Sequence, residues 1–403
     1  MPALKTHVAR ISSRIAALDN LIFSVVGLII ALILRMRLFK YESGDYGYFL
    51  SPWYDYIRDH GGFRALKDDF YNYTPPYLYL LSLTTYLPIP KLYAIKWLSV
   101  VFDFVLAALV MLIVRLKYES KTLWILSFFI TLFTPTVFLN SAMWGQCDAI
   151  YTSALLASVY FIMKRKPTAS VIFLGVALTL KLQAVFLFPL FLLLLLKKEM
   201  PLRVFLWIPA VYVVLILPAW LIGKPFVNLL LIHQRHAGEY IGRLTLNAPN
   251  IYQWLPYHRV IEKASLFFTL ALVFLLCFVV YQSRVAFEKN IIVKLALVSA
   301  ILLPFSLPYM HERYFFPADV LSIIYALYFP RFFFVPVLVI GASFACYVPY
   351  LFPNEVKPVL IPYVAFLMAL ALIVTVFDLV RNLYPGLQSA NRNLNHRDTE
   401  RSS

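Results

Sequence analysis

The chain has 403 residues, of which 62% are hydrophobic and only 14% are charged. Soluble globular proteins carry roughly 25% charged residues, so this composition excludes an ordinary soluble domain and indicates surfaces that face lipid. The formal net charge of +16 could indicate nucleic-acid binding, but the basic residues are scattered over short loops. We therefore assign them to the inner membrane surface and to anionic lipid headgroups, and we expect no nucleic-acid partner.

The N-terminal segment 1–20 contains Lys5, Arg10 and Arg14, and the apolar run after it has no small-residue cleavage site. This pattern predicts an uncleaved first span rather than a signal peptide that is removed. Because basic residues favour the cytosolic side, residues 1–20 are predicted to be a cytosolic tail. The first span, 21–38, then crosses outward.

Further apolar stretches can each cross part or all of a hydrocarbon core of about 30 Å. Together with the alternation of basic loops, they predict an all-α polytopic membrane protein with about twelve transmembrane helices and both ends in the cytosol. The predicted membrane domain is 21–380, and 381–403 is a cytosolic tail. The predicted crossings are 21–38, 92–114, 122–140, 149–163, 168–182, 184–196, 202–222, 264–282, 291–307, 314–329, 332–350 and 358–380. The outer loops are 39–91, 141–148, 223–263 and 308–313.

The first outer loop, 39–91, is large and is expected to carry interfacial helices. Its apolar stretch Tyr77–Leu87 is flanked by Pro76 and Pro88. At roughly 11 residues it is too short to cross a bilayer. We therefore expect a helix that lies in the outer interface.

The same loop carries carboxylates among aromatic rings, which suits sugar binding. Asp45 stands apart from the other acids of this loop, because it follows the first span closely and lies between Gly44 and Gly47, which places a carboxylate at the membrane surface on a backbone that can bend tightly. A helix cap or a solvated loop acid is the alternative for Asp45. The aromatic residues could also be an ordinary interfacial belt. The candidate substrate-binding residues in this loop are Trp53, Tyr54 and Asp55.

A second motif, Met143 to Tyr151, follows the third crossing and contains Trp144, Gln146 and Asp148 around a glycine. We take all three as candidate substrate-binding residues, although Asp148 could instead cap the next helix. A third motif is Lys181-Leu182-Gln183 at the outer end of the fifth crossing. Lys181 and Gln183 are candidate binding residues, and the alternative for Lys181 is snorkelling to headgroups.

The fourth motif is PYMHERY, which contains His311, Glu312 and Arg313. Arginine grips phosphate bidentately, so these three are candidate substrate-binding residues. The alternative is a structural Glu312–Arg313 pair. A weaker cluster in the long outer loop contains His233, Arg235, His236, Glu239 and Arg243. No phosphate-binding glycine loop and no nucleotide fingerprint occurs in the sequence.

Taken in order, these motifs resemble the GT-C superfamily of polytopic glycosyltransferases, and within it the bacterial and archaeal proteins similar to the second GPI mannosyltransferase. The resemblance covers roughly 40–330. The motifs that carry it are GDYGYFLSPWYDYI, NYTPPYLYLL, WGQCDAIY, GVALTLKLQAVFLFPL and PYMHERYF.

The resemblance implies an inverting transferase that moves a hexose, with mannose suggested, from a polyprenyl- or dolichyl-phosphate sugar to a glycolipid or glycan acceptor. It implies that Asp45 is the catalytic carboxylate of the first outer loop. Some relatives use a paired acidic motif and a divalent metal. Here Asp45 is followed by Tyr46 and Gly47, so no Asp-x-Asp pair exists. We therefore assign no cofactor and no metal ligands, and leave a divalent metal as an open alternative.

The rival interpretation is a polytopic transporter or lipid flippase, which would need polar residues at mid-membrane. Asp103, within the second crossing, is the main such residue. A non-catalytic membrane subunit is the third possibility. The expected location is a prokaryotic plasma membrane with the active face outside, or the endoplasmic reticulum if the source is eukaryotic. The expected partners are the donor, the acceptor and membrane lipids.

Overall fold

The computed structural model describes residues 2–234 and 242–385, and these are mostly helical. The helices are α1 (Pro2–Leu38), α2 (Ser51–Asp59), α3 (Pro75–Thr84), α4 (Lys91–Arg115), α5 (Lys121–Leu132), α6 (Pro135–Phe138), α7 (Asp148–Met163), α8 (Pro167–Leu180), α9 (Phe188–Leu196), α10 (Trp207–Leu221), α11 (Phe226–Leu230), α12 (Arg259–Gln282), α13 (Lys289–Ser306), α14 (Phe316–Tyr328), α15 (Phe334–Leu351) and α16 (Ile361–Leu383). Two short strands, β1 (Thr245–Leu246) and β2 (Met310–His311), pair in parallel.

Seven helices within the described residues are long and apolar enough to cross a membrane, so the fold is that of an all-α, multi-pass membrane protein. They are Leu18–Leu38, Lys91–Arg115, Leu202–Leu221, Arg259–Gln282, Lys289–Ser306, Pro330–Leu351 and Pro358–Leu383. The predicted crossing 122–140 is a bent pair of helices. The other four are shorter apolar helices of 10–17 residues: Asp148–Met163, Pro167–Leu180, Leu182–Leu196 and Phe316–Tyr328. The count of about twelve crossings therefore stays a prediction.

The bend between α5 and α6 has a local cause. Pro135 is the first residue of α6, and Thr134 before it is extended, with ψ 124°, as the residue before proline prefers. The axis turns by 52° there. The chain continues as a π-helical segment, Leu139–Trp144, that ends at Gly145 with φ 81°. Glycine adopts this left-handed conformation without the steric cost of a Cβ.

The predicted N-terminal tail is not a separate segment, because α1 runs from Pro2 into the first span without a break. The first outer loop contains α2 and α3 as two short helices. α3 has 10 residues, which span only about 15 Å at 1.5 Å per residue. Tyr77, Leu78 and Leu81 are fully buried, so α3 packs on protein along much of its surface. In the predicted C-terminal tail, α16 extends to Leu383, and 386–403 lie outside the described residues.

The helices differ in how much lipid they can contact. α13 is the central helix, because 89% of its 18-residue window is buried. By contrast, only 17% of the corresponding window in α1 and 28% in α12 is buried, and both expose large apolar side chains such as Leu21 and Phe274. An all-round apolar helix of this kind can be stable only in lipid or under another protein.

A buried ion pair joins α1 to α4. Arg35 Nε donates to Asp103 Oδ2 at 2.9 Å, and both side chains are fully buried. Arg35 also donates to the carbonyl oxygens of Ala31 and Leu132, and Ser141 Oγ donates to Asp103 at 2.5 Å. The charge of Asp103 is therefore compensated inside the bundle.

We expect Arg35→Met or Asp103→Leu alone to lower the free energy of unfolding by about 3–5 kcal/mol, because each leaves an uncompensated buried charge. The double variant should recover part of that loss, since it leaves neither charge. Unfolding of the purified protein in detergent measures all three. Single losses that simply add in the double variant would show that the two side chains are not coupled.

Candidate functional site

Asp45 lies just beyond the end of α1, on a turn that is tied to the segment before α7. Ser43 Oγ donates to the carbonyl oxygen of Trp144 at 2.7 Å and accepts from the backbone N–H of Tyr46 at 3.1 Å. The bond from Ser43 to Trp144 joins two segments that are 101 residues apart in the sequence. This contact sets the orientation of Asp45 toward the bundle.

Three side chains donate to the Asp45 carboxylate. Trp144 Nε1 and Gln146 Nε2 both donate to Oδ2, the former at 3.0 Å, and Tyr350 Oη donates to Oδ1 at 2.7 Å. The side chain remains 17% exposed, so it is neither a solvated loop acid nor a helix cap. The turn after it has no side-chain cap hydrogen bond from Asp45.

Opposing effects act on the pKa of Asp45. Burial is the largest and raises the pKa, but the charge of Arg313 and the hydrogen bonds from Tyr350 and Trp144 outweigh it. The pKa of Asp45 consequently lies below its ordinary value of 3.8. Asp45 is therefore ionised at neutral pH.

Asp148 is the second carboxylate of the cluster, and it is fully buried. It forms an ion pair with Lys181 Nζ and accepts from Asn140 Nδ2 at 2.8 Å. Its side chain therefore does not cap α7, although it is the first residue of that helix. Lys181 is 8% exposed and is paired with a carboxylate, so it does not snorkel.

Arg313 lies between the two carboxylates. Its Nη1 is 3.8 Å from Asp45 Oδ2, and its Nε is 3.8 Å from Asp148 Oδ2. These distances allow charge attraction but are too long for hydrogen bonds, and the buried Nε has no hydrogen-bond partner. Arg313 Nη1 does donate to Glu312 at 3.1 Å. The predicted structural pair is thus present beside the two longer-range contacts.

The two strands hold the segment that carries Arg313. Thr245 pairs with Met310, and Leu246 pairs with His311. The backbone N–H of Glu312 also donates to the carbonyl oxygen of Leu246 at 3.1 Å. The predicted outer loops 223–263 and 308–313 are thereby joined beside the cluster.

Two cavities open onto these residues, and both are lined by Asn72 and Tyr73. The first has a volume of about 100 Å³, and its lining includes Asp45, Trp53, Gln146, His311, Arg313 and Tyr350. The second has a volume of about 140 Å³, and its lining includes Lys181, Gln183, His233 and Tyr314. The ring of Trp144 is fully buried and stacks on Tyr350 at 4.2 Å between centroids. Trp144 and Tyr350, which both donate to Asp45, thus hold each other in place.

Two predicted binding residues lie apart from this cluster. Asp55 forms an ion pair with Lys91 at 2.6 Å and with Arg58 at 3.3 Å. Tyr54 is buried, and its hydroxyl donates to the carbonyl oxygen of Thr84 at 3.4 Å. Neither lines either cavity. Of the weaker loop cluster, Arg235, His236 and Glu239 lie outside the described residues.

Three residues of the site carry no signal in the sequence analysis. Tyr350 contacts Asp45 from 305 residues away, and Asn140 contacts Asp148 from the π-helical segment eight residues before it. Lys96 lies inside the apolar run of α4 and is fully buried. Its Nζ donates to the carbonyl oxygens of Leu38, Phe39 and Tyr41. Carbonyl groups at a helix end lack partners within the helix, so Lys96 fixes the end of α1 from which Asp45 follows.

Among the described residues, no three His, Cys, Asp or Glu side chains are grouped so that they could hold a metal ion. The oxygens of Asp45 are already engaged by three donors and one cation. The cavity at Asp45 therefore presents one ionised carboxylate beside the Arg313 guanidinium and the His311 ring.

No family model matches the chain, and no curated protein matches it either.

The predicted topology puts this cluster outside. Tyr48 is 82% exposed close to Asp45, and Lys121 is exposed in a predicted inner loop. We expect a cysteine at Tyr48 to react with a membrane-impermeant maleimide in intact cells, and a cysteine at Lys121 to react only after permeabilisation. The native Cys147, Cys277 and Cys346 are buried, which keeps the background low. The reverse pattern would place the cluster on the cytosolic face.

Proposed function

We propose that this protein is an inverting glycosyltransferase. It transfers a hexose, for which mannose is our choice from the resemblance, from a polyprenyl- or dolichyl-phosphate sugar to a hydroxyl of a glycolipid or glycan acceptor. About twelve crossings and an active face outside a prokaryotic plasma membrane belong to the same proposal. The observation that carries it is an ionised carboxylate, Asp45, 3.8 Å from the Arg313 guanidinium at the wall of one cavity.

Asp45 serves as the general base. The acceptor oxygen attacks the anomeric carbon from the side opposite the phosphate, and its proton passes to the Asp45 carboxylate. The bond from the anomeric carbon to the phosphate oxygen breaks as positive charge develops on the sugar, as it does in glycosidases. A phosphate leaves as an anion and needs no protonating acid, so a single carboxylate is sufficient.

Arg313 and its neighbours stabilise the charge that collects on the leaving phosphate. Arg313 makes no hydrogen bond to Asp45 or Asp148, so a turn of its guanidinium toward a phosphate would break only the bond from Nη1 to Glu312. Lys181 on the adjoining cavity and His311 beside Arg313 supply further donors. Cations that are already in place act on developing charge at no reorganisation cost.

Donor binding also changes the basicity of Asp45. In the empty site the charge of Arg313 opposes burial and holds the pKa of Asp45 low. A phosphate that engages Arg313 takes up part of that positive charge and adds a negative charge nearby. Both effects raise the pKa of a carboxyl group. Asp45 therefore becomes a better base once the donor is bound.

The remaining predicted residues have different roles in this proposal. Gln146 and Trp144 orient Asp45, and Asp148 orients Lys181. Trp53 lines the cavity beside Asp45 and offers an aromatic ring to a sugar. The transporter alternative relied on Asp103, whose charge is compensated by Arg35. We derive no step through a metal, because the described residues contain no set that would hold one.

We expect Asp45→Asn to remove turnover while donor binding and folding are kept. The amide has nearly the same shape but cannot accept the proton, and general-base assistance is worth about 10²–10⁴-fold. The assay is transfer of radiolabelled sugar from a polyprenyl-phosphate donor by the purified protein. The matched control is Asp55→Asn, because Asp55 belongs to the same loop but lies outside both cavities. Near-normal turnover of Asp45→Asn would remove Asp45 from the mechanism.

The pH dependence of kcat/KM tests the role of Arg313. In the wild type the acidic limb should lie below pH 3.8, because the pKa of Asp45 is lowered. Arg313→Gln removes the charge that opposes burial, so the pKa of Asp45 rises and the acidic limb moves to higher pH. Arg313→Lys keeps the charge but loses the bidentate fork. Its limb should stay near the wild-type position, while donor affinity falls about tenfold.

An unchanged acidic limb in Arg313→Gln would contradict the coupling between the two residues. Unchanged donor affinity in Arg313→Lys would return Arg313 to a structural role beside Glu312.

A further inference from the structure

The opposite end of the helix bundle contains a second polar cavity. Several helix ends meet there: Lys289 Nζ donates to the carbonyl oxygen of Leu116 at 2.9 Å, and Lys117 Nζ donates to that of Tyr328. Arg165 Nη2 donates to the carbonyl oxygen of Phe287 at 3.2 Å. All these residues lie on or beside loops that the sequence predicts to be cytosolic.

The cavity between them has a volume of about 480 Å³. Its polar wall is formed by Lys117, Arg165, Glu288, Lys289 and Asn290, and apolar side chains such as Met163 and Ile292 form much of the rest. A polar rim above an apolar wall is the chemistry of a lipid headgroup with its glycerol and first methylene groups.

Three cations and one carboxylate, that of Glu288, line this cavity, so its positive charge is only partly balanced by the protein. In the described part of the chain, neither Lys117 nor Lys289 lies within 4.0 Å of a carboxylate, whereas Arg165 pairs with Glu199 at 2.5 Å. Each lysine uses one N–H on a carbonyl oxygen, which leaves two of its three donors for a ligand.

A helix N-terminus adds to the positive electrostatic potential in this cavity. α13 begins at Lys289 and has 18 residues, and both Lys289 and Asn290 line the cavity. The first N–H groups of a helix have no partner within it, and the helix dipole favours an anion there. The excess of positive charge and the helix start therefore both favour an anion, while Glu288 just before the helix lowers the positive potential there.

We propose that this cavity binds a phosphate group, supplied by the headgroup of an anionic phospholipid of the cytosolic leaflet. A free phosphate has the same charge chemistry. The lipid is favoured by the apolar part of the wall and by the position of the cavity among the ends of membrane helices, where basic pockets bind anionic headgroups. This site is separate from the Asp45 cluster and does not depend on the reaction proposed for it.

The test is native mass spectrometry of the purified protein in an uncharged detergent with dioleoyl phosphatidylglycerol, dioleoyl phosphatidylcholine or inorganic phosphate. We expect phosphatidylglycerol to bind more tightly than phosphatidylcholine. The double variant Lys117→Gln, Lys289→Gln should bind it about 30-fold more weakly, at about 5-fold for each charge near the membrane surface.

Two double variants are the controls. Lys117→Arg, Lys289→Arg keeps both charges and should keep binding. Lys121→Gln, Lys164→Gln removes two exposed charges at the same end that do not line the cavity, and should leave binding unchanged. If the first double variant fails to fold, the single variants should each lose about 5-fold.

Three results would overturn the proposal. Equal binding of the two lipids would exclude recognition of an anionic headgroup. Equal loss in the Lys121, Lys164 control would reduce the effect to general surface charge. Displacement of phosphatidylglycerol by an equal concentration of inorganic phosphate would make the ligand a soluble anion.

Discussion

The arrangement of the candidate site depends on the position of one guanidinium. Arg313 lies 3.8 Å from an oxygen of Asp45 and 3.8 Å from an oxygen of Asp148. Without it Asp45 would be a largely buried carboxylate with no cation beside it, since Lys181 is paired with Asp148. Burying an uncompensated charge costs several kcal/mol. The strand pair that carries Arg313 and the π-helical segment that carries Trp144 therefore have to meet. The separation also leaves Arg313 attracted to Asp45 and Asp148 without a hydrogen bond to either, so that among these carboxylates only Glu312 accepts a hydrogen bond from its guanidinium.

The two carboxylates show how burial divides one residue type between two roles. Asp148 is fully buried and is bound by Lys181 and Asn140, so its negative charge holds the Lys181 ammonium group in place. Asp45 keeps 17% of its side chain exposed and faces a cavity. In the proposed reaction, Asp45 is the carboxylate that would accept the substrate proton. The proposed base is thus distinct from Asp148, which positions Lys181, although both carboxylates lie 3.8 Å from Arg313.

The sequence predicts the apolar helices well, because hydrophobic length is a local property and the described helices coincide with the predicted crossings to within a few residues. It predicts less about contacts between distant segments. Tyr350 donates to Asp45 from 305 residues away, and no local pattern marks it. Lys96 was hidden by the apolar run around it, where a cation is unexpected until the carbonyl oxygens of another helix end are seen to bind it. Asp55 lies among aromatic residues in the sequence, as a sugar-binding carboxylate would. In the structure, however, it forms an ion pair with Lys91 instead of lining a cavity.

The two ends of the bundle handle positive charge in opposite ways, and this suggests why the chain is so basic. Around Asp45 the protein supplies its own counter-charges, since Arg313 and Lys181 each have a carboxylate within 4.0 Å. At the other end Lys117 and Lys289 have none among the described residues, and carbonyl oxygens hold them at the cavity rim. A cluster whose cations are paired with its own carboxylates keeps its geometry when no ligand is present. A ligand then binds one of these cations only if it attracts the cation more strongly than the carboxylate does. The rim at the other end, with three cations beside Glu288, keeps an excess of positive charge, which in the proposed site is paired with anions of the bilayer.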